Sequence, residues 1–162
     1  MDYWSILTKR VTLSNKAYMV VVQYLMGKDV SLKQKRDAEL YSVYLRGLKE
    51  CSFSSETEAV DWVRSQSASE FYISPKALVN YICTIRKGST PSKMYSWNKK
   101  KITLLYQMYQ AYMEQHPDNT RSTILICEDL VESPAPCFFI GREIARRVIK
   151  KEIAKHRVVY NG

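Results

Sequence analysis

Residues 68–88, A-S-E-F-Y-I-S-P-K-A-L-V-N-Y-I-C-T-I-R-K-G, decide the reading of this chain because they recur. Sixty-seven positions later the sequence from Ala135 is A-P-C-F-F-I-G-R-E-I-A-R-R-V-I-K-K-E-I-A-K, setting Phe138 on Phe71, Ile140 on Ile73, Gly141 on Ser74 and Ile149 on Ile82. A fainter copy, Val11 to Lys28, aligns at a shift of sixty, with Ser14 on Ser74, Lys16 on Lys76 and Ala17 on Ala77. The shared element is two or three extended apolar residues, a cap, then a helix. Ser14, Ser74 and Gly141 suit the non-helical N-cap geometry, and a serine oxygen also accepts from a first-turn amide. Pro75 falls at the first helical position, where a missing N–H costs nothing. Gly27 and Gly88 fall where the first two of these helices should stop.

A second segment repeats at nearly the same spacing. Ser31-Leu32-Lys33-Gln34-Lys35-Arg36 opens a helix to about Leu48, with Leu40, Tyr41, Tyr44, Leu45 and Leu48 at the three-four spacing of a buried face. Sixty-five residues on, Ser96, Lys100, Leu105, Tyr106 and Tyr109 repeat Ser31, Lys35, Leu40, Tyr41 and Tyr44. Self-similarity in two segments at nearly one offset is a duplication signature. Each unit has room for a middle helix. One follows the capping-box spacing of Ser55 and Glu58; the other, Thr123 to Val131, follows Asn119 or Thr120 and stops before Ser133-Pro134.

The expected fold is all-α: two tandem three-helix units related by internal duplication, with short extended connections before each last helix, plus an N-terminal helix. The boundaries are 1–30 for an N-terminal segment with a helix over Asn15–Met26, 31–88 for the first unit, 89–95 for a polar, proline-broken linker, and 96–162 for the second unit. A hairpin is the alternative for residues 11–22, where Val11 to Leu13 and Tyr18 to Val22 are β-prone.

Composition narrows the function. Lys and Arg exceed Asp and Glu by nine, which favours a polyanionic partner over a neutral metabolite. Between Arg142 and Arg157 stand seven Lys or Arg and two Glu. The longest apolar run, Ala17 to Val22, is too short to span a bilayer, and no signal peptide precedes it. Four cysteines without C-x-x-C spacing and two histidines offer no metal motif, and suit buried thiols in a reducing cytoplasm. No Ser-His-Asp order or phosphate-cradling glycine loop appears, so neither catalysis nor a cofactor is expected.

Basic three-helix units with a capped last helix resemble the trihelical helix-turn-helix superfamily of DNA-binding domains. That resemblance implies a middle helix crossing the DNA backbone and a last helix in the major groove. Carried over by position, the groove-facing residues are Lys76 and Asn80 in the first unit and Arg142, Arg146, Arg147 and Lys150 in the second. The connections, roughly 67–73 and 134–140, are longer than the usual turn.

The residues themselves add further candidates. In the last helix Ala145, Val148, Ile149 and Ile153 fall on one side, while Arg146, Arg147, Lys150, Lys151 and Lys155 are spaced to meet successive phosphates. Lys33, Lys35 and Arg36, like Lys99, Lys100 and Lys101, oppose the helix dipole if they lie in a first turn, and do not if they lie in the preceding loop. The expected function is therefore non-enzymatic binding of duplex DNA phosphates, as in a small regulator or an accessory factor of a virus or mobile element. The alternative is a helical adaptor whose basic face docks an acidic protein, with Tyr72 and Phe139 turned outward as an apolar interface. One continuous basic stripe favours the first; scattered cations favour the second.

Overall fold

The computed structural model describes residues 31–89 and 96–160. The expected Asn15–Met26 helix, the third copy, the hairpin alternative and most of the 89–95 linker lie outside the described residues. Those residues form six α-helices and no strand: α1 (Leu32–Glu50), α2 (Glu56–Ser65), α3 (Pro75–Arg86), α4 (Ser96–Gln115), α5 (Thr123–Val131) and α6 (Arg142–Tyr160).

Local chemistry accounts for the helix ends. Ser31 accepts from the Gln34 amide while Gln34 Oε1 accepts from the Ser31 amide, a reciprocal capping box. Ser74 caps α3 through the Ala77 amide at 3.1 Å, with Pro75 next. Gly88, at φ +76°, closes α3 in the left-handed conformation, its amide donating to Ile85 O at 2.9 Å. Two details differ from the sequence expectation. Ser55 caps α2, but Glu58 turns back to the Ser54 amide rather than to Ser55. The N-cap of α5 is Ser122, with no side-chain cap bond, while Asn119 is spent on a turn with the Arg121 amide.

The buried face of α1 also differs. Leu40 and Val43 are buried, but Leu45 and Leu48 are 41% and 51% exposed, and Gly47 is buried instead. Trp62 of α2 lies over that glycine, so closely that an added Cβ would stand 2.5 Å from the indole ring. A leucine stripe facing α2 would hold the helices apart; the glycine lets the indole in.

Helix partners do not follow chain order. α1 packs on α2 and α6, and α2 on α6; α4 packs on α5 and α3, and α5 on α3. The last helix of each sequence unit is thus seated on the first two helices of the other. No packing joins α2 to α3 or α5 to α6. Units 31–88 and 96–162 therefore do not pack as separate three-helix groups, and the middle-to-last helix contact of a helix-turn-helix is absent in chain order.

The long connections carry the chain between these pairings. They run past one another and pair antiparallel at Ala68 and Ala135, each amide donating to the other's carbonyl at 3.0 Å. The Phe71 amide donates to Val131 O at 3.0 Å, and the Phe138 amide to Arg64 O at 3.5 Å, the same pair of bonds sixty-seven residues apart. Tyr72 and Phe139, again at that offset, both adopt left-handed φ, 53° and 49°, a turn of the chain that is costly for bulky residues. Phe71 and Phe138 sit in the shared core, where each contributes about 2–3 kcal/mol by burial.

Candidate nucleic-acid interface

The starts of α1 and α4 carry the lysine clusters. Both clusters lie inside the helices, not in preceding loops; Lys33, Lys35 and Lys99 fall in the first turns and oppose the dipole, while Lys100 and Lys101 begin the second turn of α4. Lys33 and Lys99 are exposed and Lys35 half-buried, none of them with a carboxylate partner among the described residues. Arg36 bonds Asp37 through Nε at 3.0 Å and Nη2 at 2.8 Å. Lys101 is half-buried, and its pKa lies below the usual lysine range, first through burial and then through the charge of Arg36. Each cluster starts beside one of the paired connections: Glu39 of α1 accepts from the Ser69 amide at 2.8 Å, and Trp97 of α4 lies against Arg64 and Gly141.

Trp97 joins the start of α6 to this surface. Lys100 Nζ lies 4.6 Å and the Arg64 guanidinium 4.9 Å from its ring centroid. A Cβ on Gly141, the residue before α6, would stand 3.7 Å from the same ring. Arg64 also donates to Ile140 O at 2.9 Å and to Asp61 at 2.8 Å. Asp61 is in turn held by both Nε and Nη2 of Arg142, at 2.9 and 2.7 Å. These bonds, Arg142 first and Arg64 after it, keep the Asp61 carboxyl below the usual aspartate range.

Further along α6 the cations turn onto acids. Arg146 meets Glu143 at 2.7 Å, Thr57 at 3.1 Å and Glu56 at 3.8 Å. Lys150 reaches Glu56 at 3.7 Å, and Lys155 reaches the buried Glu152 at 3.0 Å. Ala145, Val148 and Ile149 are buried as their spacing indicates, so α6 is a seated helix whose paired cations fasten it to α2. Arg147 and Lys151 remain exposed without an acidic partner among the described residues. Lys76 and Asn80 are exposed on α3. The expected basic residues thus divide: the lysines of the α1 and α4 clusters lack acidic partners among the described residues, and most of the α6 set is neutralised in place.

Tyr72 and Phe139 are not an outward-facing patch. The Tyr72 hydroxyl bonds the fully buried Glu39, which also accepts from the Ser69 amide and hydroxyl at 2.8 and 2.7 Å. Burial first and Glu39 next push the Tyr72 phenol above its ordinary pKa, so it stays a donor. Phe139 stacks on Phe71 with centroids 6.0 Å apart. Both are partly buried because the left-handed backbone at these residues folds the connection onto the core.

Sequence reasoning missed Trp97 and Arg64 as parts of this surface. The three-residue spacing of Trp97 and Lys100 places them on one helix face and was a legible signal; Arg64 meets them only through the fold. Among the described residues no group of three His, Cys, Asp or Glu side chains is placed to hold a metal ion, and no helix is long and apolar enough to cross a membrane. Comparison with protein-family models, with curated proteins and with solved structures gave no match.

Proposed function

We propose that this chain is an internal duplication whose two units exchange their last helices, and that it is a non-enzymatic protein gripping duplex DNA through phosphates. The observation that carries the reading is that the lysines at the starts of α1 and α4 lack acidic partners among the described residues, while both helix starts lie beside the paired connections. Cations at these positions are opposed by the helix dipole and by each other, a cost that a polyanion removes. The net charge of +9 agrees with such a partner. The duplication is supported by a constant offset of sixty-seven in the paired connections, in their left-handed residues and in their cross-chain bonds. Lys33, Lys35, Lys99 and Lys100 are the principal contacts in this reading, with Arg147 and Lys151 as a second set; Arg142, Arg146 and Lys150 hold α6 on α2, and Lys155 pairs with Glu152 within α6. The adaptor reading relied on an exposed Tyr72 and Phe139, and both fold inward.

Fluorescence anisotropy of a labelled random duplex of about 25 base pairs, titrated at several salt concentrations, tests this, because log K against log salt should slope by about −0.9 per phosphate neutralised. Lys35→Glu/Lys100→Glu should flatten the slope, while Lys155→Glu should not. Absence of binding at low salt would remove the DNA reading.

A further inference from the structure

The exchanged architecture constrains how a duplex can lie on this surface. Every helix contact has a counterpart at the repeat offset: α1 with α2 and α4 with α5, α1 with α6 and α4 with α3, α2 with α6 and α5 with α3. Matched residues also meet each other. Ala68 and Ala135 exchange amide bonds, and the Phe71–Val131 bond is matched by the Phe138–Arg64 bond. A residue meeting its own equivalent is the mark of an isologous contact on a two-fold axis. Such an axis therefore passes between Ala68 and Ala135. It relates the cation cluster of α1 to that of α4.

The strands of a DNA duplex are likewise related by two-fold axes perpendicular to the helix, which is why two-fold proteins dock on dyads of the duplex. We infer that the duplex lies with one of its dyads on this internal axis, so that the α1 cluster holds the phosphates of one strand and the α4 cluster those of the other. The inference rests on the duplex-binding reading and adds the mode of docking. One 162-residue chain then does what a symmetric dimer does at an inverted repeat. The two halves are not identical: Lys33 is matched by Asn98, and Gln34 by Lys99.

The test uses the full chain with the photoreactive residue p-benzoylphenylalanine at position 33, at position 98, and at both. Residues 33 and 98 are exposed and matched by the repeat, and this placement keeps Lys35, Arg36 and Lys99 to Lys101 intact. The probe is a random duplex of about 25 base pairs whose two strands carry different fluorophores, in the salt range where phosphate contacts dominate. Each single variant should crosslink. The double variant should yield a doubly linked product carrying both fluorophores on a denaturing gel. A doubly linked product restricted to one strand, or crosslinking from only one position, overturns the dyad placement. Binding by anisotropy without crosslinks from either position overturns it too, while leaving the duplex reading standing. No binding by unmodified protein removes both.

Discussion

The two crossing connections share a backbone and differ in chemistry. In the first, residues 66–74, the Ser69 amide and hydroxyl and the Tyr72 hydroxyl converge on the buried carboxylate of Glu39. In the second, the residues matching Ser69, Tyr72 and Glu39 are Pro136, Phe139 and Leu104. Proline has no amide to satisfy and phenylalanine no hydroxyl, so no buried acceptor is required. Each half is self-consistent: donors come with a carboxylate, and their loss comes with a leucine. The common features are the Phe anchor, the left-handed residue after it and the Ala68–Ala135 pairing. Those set the path; the polar network is one of two ways to fill the space beside it.

The largest expected effect tests what the halves share. Phe71→Ala and Phe138→Ala should each cost about 3–5 kcal/mol in urea unfolding, as buried aromatic truncations do. Costs differing by more than half would show that one connection dominates. Next comes the contrast itself. Glu39→Ala should cost roughly 2–3 kcal/mol, because it strands donors in the interior. The triple variant Glu39→Leu/Ser69→Pro/Tyr72→Phe, which copies the second connection onto the first, should return to within about 1 kcal/mol of the parent. If the triple variant is no better than Glu39→Ala, the two chemistries are not interchangeable.

A smaller effect sharpens the comparison at the helix starts. The first turn of α6 is tied to α2 by Asp61 and Arg142, whereas the matching positions by α3 hold Glu128 and Pro75 and form no such pair. The folded-state pKa of Asp61 is depressed, so its contribution is complete above the ordinary aspartate value of about 4 and is lost as pH falls through the lower folded value. Asp61→Asn should therefore lower Tm at pH 7 and flatten its fall below about pH 4. An unchanged acid profile would place the acid sensitivity elsewhere. The smallest effect separates stability from binding. Lys101→Met should raise Tm by less than about 3 °C, since it removes a cation disfavoured by burial and by Arg36. In the duplex-binding reading it also weakens binding at low salt.

The helices described here were legible because their determinants are local. Ser31, Ser74-Pro75, Gly88 and Ser133-Pro134 act within a turn of the chain, and a three-four spacing needs only neighbouring residues. The candidate surface was half legible. Lysines at two helix starts can be read from sequence, but the neutralisation of α6 by Glu56 and Asp61 cannot, because those partners lie far along the chain. The same holds for α1, where periodicity favoured Leu45 and Leu48 and the fold buried Gly47 beneath Trp62. Sequence alone set the helices, their order and the sixty-seven-residue recurrence. Which helix pairs with which was decided by tertiary structure. Tyr72 and Phe139 give no glycine signal for their left-handed turn, and the crossing is held by long-range contacts, the Ala68–Ala135 pairing and the packing of Phe71 and Phe138 in the shared core.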